Sequence, residues 1–197
     1  MAQKQARSQE TTDAIMRAAM KLGSLKGINA VTVREICAEA GVSIGAFYHH
    51  FSSRQDLFHR AFESFDRALN RKMAQFDETK SPLEMLTELL MFQVTYVSRE
   101  GRGVISSYYR TILNDTTHAA VNPDRSYYRA AHAYVQRLAD AGQLRPEYQP
   151  QQIAELCISF IRGCLIDWCL HDQNYDVIAH TRRVLPILIR GFIQESP

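Results

Sequence analysis

An all-α fold of about nine helices is what this 197-residue sequence predicts, on three observations. Apolar residues recur at three- and four-residue spacing along almost the whole chain, and no convincing strand pair interrupts them. Helix starts are marked by boxes in which a hydroxyl residue precedes a carboxylate by three positions, at Thr32–Glu35, Ser53–Asp56 and Ser81–Glu84. Glycines close the apolar stripes at Gly27, Gly41, Gly101 and Gly142, where a left-handed residue ends a helix at low cost.

Taken in order, the first helix is expected from about Thr12 to Lys26, with Ile15, Ala18, Ala19, Leu22 and Leu25 as its stripe. A second opens at the Thr32 box and buries Val33, Ile36 and Cys37 before stopping at Gly41. Ser43 caps a short third helix that ends at His50, with Phe47 and Phe51 one turn apart and pointing, with Val42, into a small core. Ser53 opens the fourth, which carries Leu57, Phe58, Ala61, Phe62, Phe65 and Leu69 to roughly Gln75. Ser81, Pro82 and Glu84 open the fifth. A sixth is expected from about Val104 to Leu113, and a polar loop, "NDTTHAAVNPD", leads into the seventh. The eighth, from about Pro150 to Leu170, has the strongest stripe: Ile153, Leu156, Cys157, Phe160, Ile161, Cys164, Leu165 and Trp168. The ninth, from about Asp176 to Ile193, carries Pro186 inside it, which should bend it. These helices group into a three-helix head and a larger bundle, with no internal repeat and no low-complexity segment.

Composition excludes several classes. With 46% hydrophobic and 22% charged residues the chain is globular rather than disordered. No apolar run approaches the roughly 20 residues that span a bilayer, and "MAQKQARSQETTD" has no apolar core of a secretory signal, so a cytoplasmic protein with no membrane partner is expected. The four cysteines, Cys37, Cys157, Cys164 and Cys169, match no zinc spacing and are expected to be reduced and buried. No cofactor, no metal and no nucleophile–base–acid set is visible, so no enzyme is expected. The formal net charge is +2, and the basic excess lies in the first sixty residues, where eight Lys and Arg stand against five Asp and Glu. That bias permits an anionic partner there.

The stretch "VREICAEAGVSIGAFYHHF" has the layout of a helix-turn-helix, with Ala40-Gly41-Val42 as the turn. The second helix of that motif lies in the major groove with its first turn at the base edges. Ser43, Ile44, Gly45 and Ala46 form such a first turn, small enough to approach bases. Tyr48, His49 and His50 follow, with O–H and ring N–H groups that can reach sugar-phosphate oxygens. From the pattern alone, an ordinary helical hairpin with a solvated aromatic face stays open.

Thr32–Leu57 resembles the DNA-binding domain of the tetracycline-repressor (TetR) family of bacterial transcription regulators, through "TVREICAEAGVS", the "G-x-F-Y-H-H-F" end of the recognition helix and the "S-R-x-D-L" opening of the next helix. The resemblance covers about residues 9–69 and implies a DNA-binding domain there, with a ligand-binding and dimerisation domain over 70–197. It implies that Thr32 caps its helix and touches a phosphate, that Arg34 reaches a base or backbone, and that Ser43, Ile44, Gly45 and Ala46 face bases. Tyr48 and His49 match the backbone-contacting pair, with His50 assisting, and Arg54 matches a phosphate clamp. Isoleucine at position 44, where the family often has a long polar residue, favours contact with a thymine methyl over hydrogen bonding to guanine.

Beyond the head, aromatic and polar side chains suit either a plain core or a small-molecule pocket, and the resemblance favours an effector cavity among Phe92, Gln93, Tyr96, Tyr108, Tyr109, Tyr127, Tyr128, His132, Phe160, Cys164 and Trp168. Apolar stripes on the last two helices suggest a homodimer contact through Ile153, Leu156, Ile161, Leu165, Val184, Leu185, Leu188 and Phe192. The function expected is a homodimeric repressor, released from pseudo-palindromic double-stranded operator DNA by an apolar or aromatic effector. The alternative is an effector-independent helical DNA-binding regulator with a filled core.

Overall fold

A computed structural model of the chain describes residues 2–26, 30–77, 79–113, 118–171 and 174–194. Nine α-helices run through the described residues: α1 (Ala2–Lys26), α2 (Val33–Ala40), α3 (Ile44–His50), α4 (Arg54–Met73), α5 (Pro82–Ser98), α6 (Arg102–Ile112), α7 (Ser126–Asp140), α8 (Pro150–Leu170) and α9 (Val177–Arg190). A 3-10 turn at Ala119–Val121 and an isolated antiparallel bridge between Leu144 and Ile193 complete them. The expected stop at Gly27, part of the polar loop at 114–117, and the side chains of Phe58, Ala61 and Phe62 lie outside the described residues.

The capping chemistry predicts the starts well. Thr32 and Ser81 both form reciprocal boxes: each hydroxyl accepts from the N–H three residues on, and Glu35 and Glu84 accept from the cap N–H at 2.8 Å. The third box is shifted. Ser53 Oγ accepts from the Asp56 N–H at 3.2 Å, but the Asp56 carboxylate accepts from the N–H of Ser52 at 2.9 Å. Gly41 and Gly142 both sit at φ 67°. The largest boundary difference is α1, which begins ten residues before the expected Thr12. That extension carries no apolar stripe. Local bonds support it instead, including Gln9 Nε2 to Asp13 Oδ1 at 2.9 Å and the Thr11 hydroxyl to the Arg7 carbonyl at 2.9 Å.

The chain divides into two compact units, residues 1–64 with 101–120, and residues 65–100 with 121–197. The expected boundary at residues 69 and 70 falls in α4, and the units part earlier in that helix, between Ser64 and Phe65. The first unit also takes α6, expected with the larger bundle, because α6 packs on α1 and the buried Ser107 hydroxyl donates to the Gly23 carbonyl at 2.9 Å. In the first unit, Ile15, Ala18, Ala19, Val31, Ile36, Cys37, Phe47, Phe51 and Leu57 form one core. Leu25, expected on that stripe, is 75% exposed on the last turn of α1. In the second unit, α5 packs on α7, α8 and α9, and α7 packs on α8.

All four cysteines are free, and Cys37, Cys157 and Cys164 are buried. No described helix is long and apolar enough to cross a membrane. Among the described residues no group of three or more His, Cys, Asp or Glu could hold a metal ion.

The Ser81 box predicts that Ser81→Ala lowers stability by about 1 kcal/mol, moving the melting temperature down by roughly 2–4 °C for a protein of this size. Thermal unfolding followed by circular dichroism checks this, and an unchanged midpoint contradicts it.

Candidate functional site

The helix-turn-helix is built from its own sequence. The αL backbone of Gly41 ends α2, and the Val42 N–H donates to the Cys37 carbonyl at 3.0 Å, which turns the chain sharply toward α3. Ser43 then starts α3 by accepting from the Ala46 N–H at 3.0 Å. Seven residues cannot hold a helix in water unaided. Burial supplies the hold: Phe47 and Phe51 are both fully buried, with ring centroids 5.5 Å apart, against Ile15 and Ile36. With Phe47 turned inward, the opposite face of α3 points to solvent.

That outer face carries most of the expected contact residues. Ser43, Ile44, Gly45, Tyr48 and His49 are exposed, and Ala46 is half-buried. Ile44 at 44% and Tyr48 at 57% are large hydrophobic surfaces left open on a small unit. A Cβ on Gly45 would meet only Ser43 Oγ, at an ordinary 3.8 Å. The chain's own packing therefore does not require glycine there, although glycine inside a helix costs about 1 kcal/mol relative to alanine. Thr32 and Arg34 are also exposed.

Two expected contacts have other attachments. Arg54 donates from Nη1 to the Val31 carbonyl at 2.8 Å, tying the start of α4 to the entry of α2. His50, expected to assist at the DNA backbone, instead turns toward α1. Its Nδ1 lies 3.2 Å from Thr12 Oγ1, whose single hydrogen is committed to the Ser8 carbonyl at 3.0 Å. With that hydrogen directed at Ser8, the hydroxyl can accept from an Nδ1–H of His50. Burial, then the neighbouring His49 and Arg60, hold the His50 pKa below its ordinary value. The pattern could not show this, because Thr12 is 38 residues away in sequence.

Around α2, Lys26 and Glu35 form an ion pair, and Lys21 pairs with Glu39 at 2.6 Å. The Lys26 bond, with the two bonds from Thr32, pulls the Glu35 carboxyl down to about 2. Glu35 thus stays ionised and keeps the cap of α2 closed across the whole ordinary pH range.

The expected pocket residues are sorted by the second unit. Phe65, not expected there, is the centre: its ring meets Phe92 at 5.9 Å, Tyr96 at 5.4 Å and Tyr127 at 5.5 Å. Beside it, Asp66 accepts two bonds from the Arg125 guanidinium, both at 3.1 Å, in a largely buried ion pair. Tyr127 is fully buried, and neither its hydroxyl nor Gln93 Oε1 has a hydrogen-bond partner. Tyr128 accepts from Arg162 at 2.7 Å. His132 is a correction: it is exposed, and with Tyr128, Arg129, Gln151 and Glu155 it lines an outer groove of about 220 Å³. Cys164 is another, since its neighbour is Thr181 of α9. Phe160 is half-buried and Trp168 buried on α8, and Tyr108 and Tyr109 belong to the first unit.

The expected dimer residues need the largest correction. Ile153, Ile161, Leu165, Leu185 and Phe192 are buried inside the unit, and Val184 and Leu188 are half-buried. Of the eight, Leu156 alone is exposed, at 45%. It heads an outward stripe on α8 formed by Leu156, Ser159, Gly163, Ile166 and Leu170, with Ile187 exposed on α9.

Residues 15–61 match the family model described as "Bacterial regulatory proteins, tetR family". Across 97% of its length the chain is 25% identical to the HTH-type transcriptional repressor BepR of Brucella suis biovar 1 (strain 1330), covering 96% of that protein. Its fold is similar to native NalD, the secondary repressor of the MexAB-OprM multidrug efflux pump in Pseudomonas aeruginosa, with a TM-score of 0.73, 21% identity, and 96% of this chain and 100% of that one covered. It is also similar to the transcriptional regulator FadR from Bacillus subtilis in complex with stearoyl-CoA, with a TM-score of 0.73, 17% identity, and 90% and 97% covered.

The geometry at His50 makes a pH prediction. The folded ring binds a proton less readily than the unfolded one, so its contribution to stability is complete above about pH 6.5 and falls as pH drops below that. NMR titration should place His50 below 6.5, and a midpoint above that value contradicts the buried, Thr12-bound ring.

Proposed function

Because the chain belongs to the tetR family of bacterial regulatory proteins, we propose that it is a homodimeric repressor that leaves its operator when an apolar or aromatic small molecule enters the second unit. The observation that carries the DNA reading is the outer face of α3. Ile44, Tyr48 and His49 are exposed there, and Gly45 has no packing role in its own chain. Ser43, Ile44, Gly45 and Ala46 would face bases, with Ile44 against a thymine methyl. Tyr48, His49, Thr32 and Arg34 would hold the sugar-phosphate backbone or a base edge. Arg54, tied to the Val31 carbonyl at the start of α4, would bring its positive charge to a phosphate.

The dimer reading rests on the outward stripe of α8. Leu156, Ile166 and Leu170 are exposed at 45%, 37% and 79%, and Gly163 lies among them with nothing within 4 Å of a built Cβ. A mid-helix glycine with open space around it suits close approach of a second helix. A symmetry mate crossing near Gly163 would cover the apolar side chains on both copies. Each copy would then bring one α3 to one half-site of a pseudo-palindrome.

The effector reading rests on the rings around Phe65 and on the two unpartnered polar atoms, which argue against a simply filled core. Phe65 and Asp66 lie on α4, the helix that begins at Arg54 in the DNA-binding unit. An effector that repacks Phe65 would bias α4 between two arrangements, weakening operator affinity by roughly 5- to 150-fold, with reciprocal weakening of effector binding by DNA. The protein would act in the cytoplasm.

Two experiments test this reading. Gly45→Leu should leave the melting temperature within a few degrees of wild type and weaken operator binding by at least about tenfold, since a bulky side chain holds α3 out of the groove. Fluorescence anisotropy on the DNA upstream of the gene measures it, and unchanged affinity removes the assignment. Ile166→Asp should give folded monomers at micromolar concentration where the wild type sediments as a dimer, because an unpaired charge buried in the contact costs several kcal/mol. A dimeric variant, or a monomeric wild type, contradicts the α8 interface.

A further inference from the structure

Among the described residues of the second unit three buried side-chain oxygens have no hydrogen-bond partner: Thr181 Oγ1 on α9, beside Cys164, and two on neighbouring helices. Tyr127 on α7 is 1% exposed, and its hydroxyl makes no hydrogen bond. Gln93 Oε1 on α5 is buried and equally unpaired. A buried polar group left unsatisfied costs about 1–3 kcal/mol, so native proteins seldom carry two in one small region without something else completing them. The two helices pack on each other, Phe92 adjoins Gln93 in the chain, and Phe65 touches both Phe92 and Tyr127.

We propose that the effector is a neutral aromatic molecule bearing a hydroxyl, which donates to Gln93 Oε1 and accepts the hydrogen bond of the Tyr127 hydroxyl. This rests on the effector reading above. The chemistry is set by what each atom lacks. Gln93 Oε1 is acceptor only and demands a donor. A carboxylate or phosphate would meet it with a second acceptor, and of the two guanidinium groups near Tyr127, Arg125 is held by Asp66 and Arg162 bonds Tyr128. The Tyr127 hydroxyl offers a proton or a lone pair, and burial pushes its pKa well up, so it remains a neutral phenol. The nearby Cys157 thiol is also neutral, raised by burial to about 12. A cationic ligand meets no free carboxylate here, because Asp66 is already held by both bonds from Arg125. The rings of Phe65, Phe92 and Tyr96 favour a planar apolar body by edge and tilted contacts. A hydroxyl is the smallest group that answers both demands, donating to Gln93 while accepting from Tyr127.

Three naphthalene derivatives of similar size separate the alternatives at pH 7: 1-naphthol, 1-methoxynaphthalene, which lacks the donor, and 1-naphthoate, which is anionic. Calorimetry on the full-length protein should show 1-naphthol binding at least about threefold to tenfold more tightly than either, the ratio of one net hydrogen bond. In Gln93→Leu that preference over 1-methoxynaphthalene should disappear while 1-methoxynaphthalene binds as in wild type. Tyr127→Phe should lower naphthol affinity and leave the melting temperature unchanged or higher, because it removes an unpaired buried hydroxyl. Equal affinity for all three compounds, or a preference for 1-naphthoate, overturns the neutral-donor assignment while leaving an effector site in place. A naphthol preference that survives in both variants removes Gln93 and Tyr127 as the anchors. Binding by none of the three overturns the aromatic pocket itself. A lower melting temperature in Tyr127→Phe shows that the hydroxyl is satisfied within the fold and overturns its role.

Discussion

Burial of two phenylalanines one turn apart sets the exposed face of α3. That helix has seven residues and no independent stability. Phe47 and Phe51, both at 0% exposure, fix its rotation about its own axis. Once that face is inward, Ile44, Tyr48 and His49 must be outward on a helix of 3.6 residues per turn. The same rotation takes His50 to the side, where Thr12 can receive its ring N–H. The Gly41 turn, the Ser43 cap and the bond from Arg54 to the Val31 carbonyl then hold the ends of the motif in place. The first two are local devices, and the third joins residues 23 apart in the chain.

The second unit follows a different logic. Its core is continuous from α5 through α7 and α8 to α9, but buried polar atoms are left without partners, among them the Tyr127 hydroxyl, whose ring packs on Phe65. The charged pair Asp66–Arg125 is complete and largely buried there, so the region is not simply open to water. A regulator that changes state on binding needs a part of its core whose best packing depends on the ligand. Unpaired neutral atoms among aromatic rings meet that need without placing an unpaired charge in the interior. On the proposed reading, Tyr127 and Gln93 would make binding sensitive to hydrogen-bond pattern as well as to apolar area.

Much of this was legible in the sequence. The all-helical architecture, the boxes at Thr32 and Ser81, the stops at Gly41 and Gly142, and the burial of Phe47 and Phe51 are local or short-period signals. What was not legible involves distant partners. Nothing near His50 announces Thr12, and nothing near Phe65 announces Tyr127. The first ten residues of α1 lack a stripe, so periodicity could not find them. Most of the expected dimer residues lie inside the unit, which the sequence hides for a further reason. On α8, apolar side chains occupy both faces, and period alone cannot tell the face that fills the core from the face left outside. Ile161 and Leu165 look like Leu156 and Ile166 in the sequence, and burial alone separates them. Among the aromatic residues, Tyr96 and Tyr127 share the Phe65 contact, while His132 faces an outer groove for the same reason of unseen rotation.

Sequence-specific DNA binding by the exposed face of α3 is the central claim. The most direct measurement is the affinity of the wild-type protein for the intergenic DNA upstream of its gene, against a scrambled duplex of equal length, at a fixed physiological salt concentration. A ratio of at least about 10³ in favour of the intergenic DNA, with affinity falling as salt rises, is the result expected of a specific operator complex. Equal affinity for the two duplexes, or no binding to either, would contradict it.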